Sequence, residues 1–393
     1  MKKKIIFVTE ALWIGGLEIS LINILERLDY DLYEVTVLAL RNYQDLASRV
    51  PKQCKLLIAD RYSQVSFLKP YKYRRLFGLM EEPQNAKRFR RLVWKWLCFF
   101  LKSPEAILWS SYIKEMLKGE KYDVAVIYDN RTAETTVRAI RASKYLMFYH
   151  QGIMSHAYHD IFGWKKASRI IAVSDPVAMR LRAFMPQYAE KIHTIHNLVD
   201  VAAILKKSQE KADIQFDCQK VNLVSCGRLS KEKGMHIAVD VCAELKARGW
   251  TNFSWYFIGD GREMCSLLAR VAEMQISDCA VFLGQKDNPF PYLKQADLFV
   301  QTSLFESFGL SMAEAMILGL PVISTKTDGA VALTNNGQYG LLCDFEPKEI
   351  ADAIESLLLS REKLQTAKNA VMEVDFEKQN REVMHRLNSY LRN

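Results

Sequence analysis

Glu306 and Glu314 stand eight positions apart in Glu306-Ser307-Phe308-Gly309-Leu310-Ser311-Met312-Ala313-Glu314, with Gly309 between them and helix formers after it. The apolar run 296–303 before them reads as a buried strand. Gly319-Leu320-Pro321 after them stops a helix and opens another strand. Glu306 is therefore expected on a loop at the carboxyl end of a strand, and Glu314 a turn or two into the next helix. Open α/β sheets bind ligands at such strand ends, and a helix amino terminus there attracts anions. Taken singly, either glutamate reads first as a surface charge, Glu314 on a helix and Glu306 on a loop. A second stretch, Gly227-Arg228-Leu229-Ser230-Lys231-Glu232-Lys233-Gly234, follows another apolar run. Gly227 lets the backbone approach a ligand, the Arg228 guanidinium can fork onto two oxygens, and Lys233 adds a point charge. That combination suits a diphosphate, although it lacks the phosphate-binding P-loop pattern and alone would pass for a solvated turn.

The elements that must position these groups alternate. Apolar runs at 4–9, 33–40, 55–59, 122–128, 145–149 and 169–173 are separated by helical patterns, the first of them at 17–28 after Gly15-Gly16. A polar stretch, 206–220, precedes a second alternation. Its strands are expected at 221–226, 253–258, 280–283, 298–301, 321–324 and 340–343, with a helix over 235–246. Such alternation predicts an α/β fold of two Rossmann-like sheets. A terminal helix follows from 376, with apolar spacing at Val383, Leu387 and Leu391. The rhythm breaks at about 69–112, where Lys72, Arg74, Arg75, Lys87, Arg88, Arg90, Arg91 and Lys95 mix with Trp94, Trp96, Phe99 and Phe100. A basic, aromatic, helical segment can lie on an anionic membrane surface; it can equally be an amphipathic insertion packed on the sheet. No recognised motif supports nucleic acid as a partner.

With 393 residues, 49% hydrophobic and 25% charged, the chain has the length for two domains and the composition of a globular protein. A formal net charge of +9 points to an anionic partner. The eight cysteines form no C-x-x-C pair and are expected to be reduced core residues. The basic start, Met1-Lys2-Lys3-Lys4, precedes an apolar stretch too short for a signal peptide, so a cytoplasmic location is expected. Asp29-Tyr30-Asp31 has the D-x-D spacing of a metal site but falls where a helix-to-strand turn is expected, and no required metal or other cofactor is expected.

Together these motifs resemble the donor domain of the GT4 family of retaining glycosyltransferases, which have the GT-B fold of two Rossmann-like domains facing a central cleft. The resemblance rests on Arg228…Lys233, on Gly259-Asp260-Gly261, and on Glu306…Glu314 followed by Gly319-Leu320-Pro321. It extends to Gly15-Gly16, His150 and Val173-Ser174 in the first half. It implies an acceptor domain over 1–198, a nucleotide-sugar domain over 199–375, and a helix over 376–393 that crosses back to the first domain. It implies that Arg228 and Lys233 hold the donor diphosphate, Glu314 the ribose hydroxyls, and Glu306 the transferred sugar. Gly227, Gly259, Lys286 and the backbone of Phe308, Gly309 and Leu310 would line the donor site. The Gly16 amide would face the diphosphate, and His150 the sugar hydroxyls. The expected reaction moves a sugar from a UDP- or GDP-sugar to a glycan, lipid-linked or protein acceptor without a metal, keeping the anomeric configuration. A non-catalytic subunit of the same fold is the alternative; a nucleotide-sugar epimerase would need acid and base groups that the sequence does not identify. Two departures stand out. Asn197-Leu198-Val199-Asp200 replaces Asn-Gly-x-Asp, and Thr327-Asp328-Gly329-Ala330 replaces a Gly-Gly pair.

Overall fold

Short, uninterrupted apolar strands favour parallel sheets covered on both faces, and the chain builds two of them. The computed structural model describes residues 2–59, 104–150 and 161–392. They divide into two compact units: residues up to 150 with 161–171 and Gln187–His193, and Ala172–Pro186 with Thr194 onward. The basic aromatic segment up to residue 103 lies outside the described residues, and so does the proposal that it touches a membrane.

The first sheet contains β1 (Lys3–Thr9), β2 (Tyr33–Ala39), β3 (Lys55–Ile58), β4 (Lys121–Ile127), β5 (Arg141–Tyr149), β6 (Arg169–Ala172) and β7 (Ile192–Thr194). Their order is β3-β2-β1-β4-β5-β6-β7, and the pairings β1 with β2, β1 with β4, β2 with β3, and β4 with β5 are parallel. Helices α1 (Gly16–Leu25), α2 (Pro104–Met116), α3 (Ala133–Ala139) and α4 (Ile161–Lys166) belong to this unit. Asp29 accepts from the amide of Asp31 at 2.9 Å, so Asp29-Tyr30-Asp31 is the turn into β2 that its position implied.

The second sheet has the order β10-β9-β8-β11-β12-β13, from β8 (Val221–Cys226), β9 (Phe253–Ile258), β10 (Ala280–Gly284), β11 (Leu298–Gln301), β12 (Val322–Thr325) and β13 (Leu341–Cys343). In both sheets the order reverses once, between β1 and β4 and between β8 and β11. Those are the switch points where crevices open at the carboxyl ends of strands. The helices here are α5 (Asp175–Phe184), α6 (Val201–Lys207), α7 (Met235–Ala247), α8 (Met264–Glu273), α9 (Phe290–Leu293), α10 (Leu310–Ile317), α11 (Asp328–Leu333), α12 (Pro347–Leu358), α13 (Arg361–Met372) and α14 (Phe376–Arg392). Alternate strand residues feed two cores. Phe253, Trp255 and Phe257 of β9 join Ile237, Val241 and Leu245 of α7 on one face. Tyr256 and Ile258 join Met312, Ala313 and Met316 of α10 on the other.

The division differs from a break at 198, because Val173 enters the second core and the Ile195 amide donates to Ala172 O at 3.0 Å. Helix α14 is grouped with the second unit. Its Asn380 amide accepts from Val199 N (3.2 Å) and donates to Val199 O (2.8 Å), and Arg386 donates to Thr194 O at 2.7 Å. Leu198, where the family pattern has glycine, is fully buried, and Asp200 caps α6 through the Ala203 amide. Among the described cysteines, Cys218, in the turn before β8, and Cys265, in the first turn of α8, are exposed rather than in the core, while Cys242, Cys279 and Cys343 are buried. No described helix is long and apolar enough to cross a membrane.

Candidate active site

Two loops at the switch point of the second sheet are tied together by their backbones. The first leaves β8 at Gly227 and runs to Gly234; the second leaves β11 and runs to Gly309. Leu304 N donates to Glu232 O at 2.9 Å, and Thr302 Oγ1 donates to Gly234 O at the same distance. Gly234 has a left-handed backbone (φ 60°), and a Cβ there would stand 2.0 Å from Thr302 O. Only glycine permits this contact. The result brings Lys233 to Glu306, with Nζ 2.5 Å from Oε2. Residues 73 positions apart in sequence thus form one ion pair, both partly buried. Arg228, on the same loop, is exposed and makes no ion pair among the described residues.

Beyond Glu306 the chain turns at Gly309, the N-cap of α10. The amides of Gly309, Leu310 and Ser311 donate to no backbone carbonyl among the described residues, leaving the helix amino end open to an anion. Phe308 is buried. Glu314 lies one turn into α10, and burial pushes its carboxyl up to about 7, with the Lys233 charge opposing. Burial also pushes the Cys226 thiol up to about 12; the Glu314 charge adds to that rise and the Lys233 charge opposes it. Cys226, Lys233, Glu306 and Glu314 therefore form one cluster. Sequence reasoning had these acidic and basic residues in one half-chain; the structure brings them within electrostatic reach.

The other expected donor residues occupy the rim of this region. Gly227 N donates to Ile258 O (2.9 Å). Gly259 packs directly behind it, for a Cβ at Gly259 would stand 2.0 Å from Gly227 O. Gly259 thus supports the loop that carries Arg228. Lys286 follows β10 and is held by Asp213 (2.7 Å), with its ammonium 5.2 Å from the Tyr292 ring centre. Thr327-Asp328-Gly329-Ala330 opens α11. Gly329 N donates to Glu306 O at 2.8 Å, so this variant loop braces the Glu306 loop, and Asp328 pairs with Arg180 of α5.

In the first unit, Gly16 begins α1 with an exposed backbone, and His150 follows β5. The His150 ring stacks on Phe148 (5.8 Å between centres) and packs against Tyr128 (4.8 Å). Its Nε2 is sealed from solvent and has no hydrogen-bond partner among the described residues. Burial pulls its pKa down to about 4, with Asp129 opposing and Arg131 adding. Sequence reasoning passed over this surrounding. Arg131 grips Asp129 through Nε and Nη2 (2.6 to 3.1 Å) and Glu10 at 2.7 Å, and it lies over the Trp13 ring. The available signal was position: Glu10 is the first residue after β1 and Asp129 the second after β4, the strands that flank the first switch point. His196, also passed over, stands with its ring 6.0 Å from that of Phe308.

Two doubly wound parallel sheets, one carrying a cation–carboxylate cluster at its switch point, are the architecture of the GT-B fold. Residues 14–203 match the family described as Glycosyltransferase Family 4, and residues 195–373 match Glycosyl transferases group 1. Each match covers just under half of the chain and together they span residues 14–373, so both halves match glycosyltransferase families. Over 205 residues it is 27% identical to N-acetyl-alpha-D-glucosaminyl L-malate synthase of Bacillus anthracis, covering 51% of this chain and 53% of that protein. Over 262 residues it is 26% identical to the lipopolysaccharide core biosynthesis glycosyltransferase LpsE of Rhizobium meliloti, covering 65% and 71%. The match thus spans about half the length of the first relative and more of the second. The fold is similar to that of Anabaena Alr3699/HepE, solved in complex with UDP and glucose, with a TM-score of 0.69 at 20% identity over 98% of this chain and 100% of that one.

Proposed function

We propose that this chain is a retaining glycosyltransferase that moves a sugar from a nucleotide-diphosphate sugar, UDP- or GDP-linked, to a hydroxyl acceptor in surface polysaccharide or glycoconjugate assembly. The observation that carries the reading is the Lys233–Glu306 contact beside Glu314 and the open amino end of α10. In the absence of donor, Lys233 neutralises Glu306. When a diphosphate arrives, Lys233 and the unpaired Arg228 take its oxygens and stabilise the charge that grows as the sugar–phosphate bond breaks. Glu306 then faces the sugar, the α10 amides face sugar or phosphate, and Glu314 accepts the ribose hydroxyls. Gly227 and Lys286 complete the donor site, with Gly259 holding Gly227 in place.

The departing phosphate oxygen takes the acceptor proton on the same face, so no protein base is required and the configuration is retained. His150, kept neutral near pH 7, binds a sugar hydroxyl rather than supplying a proton, and the Gly16 amide offers a donor to the diphosphate. The acceptor is a glycan, a lipid-linked sugar or a protein, reached in the cytoplasm or at the inner membrane face. LpsE, by name a lipopolysaccharide core enzyme, and HepE, solved with UDP, support the pathway class and the uridine donor. The test is release of UDP or GDP from a panel of nucleotide sugars in the presence of a chelator. Activity is expected to persist there and to fall by about 10²-fold or more in Arg228→Ala. Activity that disappears with the chelator and returns only with a divalent metal would overturn the metal-independent mechanism. An undiminished Arg228→Ala would overturn the diphosphate assignment.

A further inference from the structure

The opposite end of the first sheet carries a feature that the donor site does not use. Strands β1, β3, β4 and β5 are parallel, and each opens on a cation: Lys3, Lys55, Lys121 and Arg141. No strand of the second sheet does so. At this basic rim lies an open cavity of 480 Å³ whose lining includes Lys114, Lys121, Arg138, Arg141 and Lys166, with no carboxylate among the lining residues. Of the nearby acids, Glu120 is engaged with Lys4 and Lys55, away from the lining, while Glu134 pairs with Arg138 of the lining. Lys114, Lys121, Arg141 and Lys166 are exposed and make no ion pair among the described residues. At Lys144, three residues along β5 from Arg141, burial holds the pKa down, with the charges of Arg169 and Lys3 adding to it.

We propose that this cavity binds a phosphate-bearing anion. Four unpaired cations around one concavity repel one another at a cost that a multivalent anion relieves, and Tyr122 and Tyr145, both buried, are also part of its lining. The site is distinct from the sugar-transfer residues. His150 and Asp129 follow the carboxyl ends of β5 and β4, whereas Arg141 and Lys121 of the cavity open those strands, roughly 25–30 Å away at about 3.3 Å per residue. The anion is either free in solution or the headgroup of a phospholipid.

The test uses the full chain, with inorganic pyrophosphate as the calorimetric probe and vesicles of phosphatidylglycerol with phosphatidylcholine, or of phosphatidylcholine alone, for flotation. Three proteins are compared: wild type, a Lys114→Gln/Arg141→Gln/Lys166→Gln variant, and an Arg228→Ala/Lys233→Ala variant. Donor turnover by the cavity variant serves as the control for folding, and the three single substitutions replace it if the triple variant does not fold. Pyrophosphate binding that weakens about tenfold or more in the cavity variant and persists in the donor-loop variant supports a free anion as ligand. Absence of pyrophosphate binding, with phosphatidylglycerol flotation falling by a similar factor in the cavity variant alone, supports a headgroup. Pyrophosphate binding lost only in the donor-loop variant, with flotation unchanged by the cavity substitutions, overturns the proposal, as does wild-type protein that responds to neither probe. Because the donor-loop variant is a separate arm, failure here leaves the glycosyltransferase reading standing.

Discussion

Glu314→Gln separates what the desolvated carboxylate of this partly buried residue costs the fold from what it contributes to binding. The Glu314 carboxyl sits at about 7 against an ordinary 4.5. In the unfolded chain the group ionises near its ordinary value; in the folded chain it resists. Ionisation therefore opposes folding, beginning above pH 4.5 and reaching its full effect above pH 7. The full penalty is about 3 kcal/mol, falling to about 2 kcal/mol at pH 6 and close to zero at pH 4. Glutamine has the same shape and no charge to desolvate, so at pH 8 the variant should be more stable, its second unit unfolding roughly 5–10 °C higher. The assay is thermal unfolding of both proteins from pH 4 to pH 8 without nucleotide. Binding should move the other way. If ribose hydroxyls donate to Glu314, the ionised form is the binding form. Nucleotide affinity of the wild type should then tighten as pH rises through 7, with protons released on binding, and the variant should bind about 10- to 100-fold more weakly, with that pH dependence gone. A stability difference that does not grow between pH 4 and pH 8 would refute the burial argument. Equal nucleotide affinity in the two proteins would refute the ribose assignment.

Lys233→Ala removes the cation from both the ion pair and the donor site. Turnover should fall by about 10²-fold or more, and apparent nucleotide affinity should lose much of its salt dependence; turnover within a few-fold of wild type would remove Lys233 from the site. Gly234→Ala places a Cβ 2.0 Å from Thr302 O at a left-handed position. Denaturant unfolding should show a loss of several kcal/mol, and a variant as stable as wild type would mean that the two loops are not locked as described.

The strands of the second sheet were legible because each is a short apolar run ended by a glycine or a polar turn. β8, β9 and β11 fall where the periodicity put them. Glu306 and Arg228 were legible for the same reason, since a charge within a few residues of the end of such a run stands on the loop at the strand's carboxyl end. Long-range closure was not legible. Nothing local to Lys233 says that its ammonium reaches Glu306, because that contact depends on Thr302 and Leu304 binding the other loop's backbone. Nor does the spacing show that Glu314 is desolvated; that follows from Met312, Ala313, Ala315 and Met316 being buried on the same helix. Gly259 read as a ligand contact because glycine serves backbone approach to ligand and to protein alike, and here the neighbour is Gly227. His150 was found by type, but its neutrality comes from Tyr128, Phe148 and the Arg131 charge.

The two carboxylates thus differ for a physical reason that their spacing hides. Glu306 has its cation in hand, so its charge is satisfied before any ligand arrives, and a diphosphate must compete for Lys233. Glu314 has only the distant part of that charge and remains costly until hydroxyl donors reach it. A ligand that offered a phosphate without a ribose would relieve one cost and leave the other. On this basis nucleoside diphosphates should bind far more tightly than pyrophosphate in the donor loops, and the preference should shrink in Glu314→Gln while persisting in Arg228→Ala.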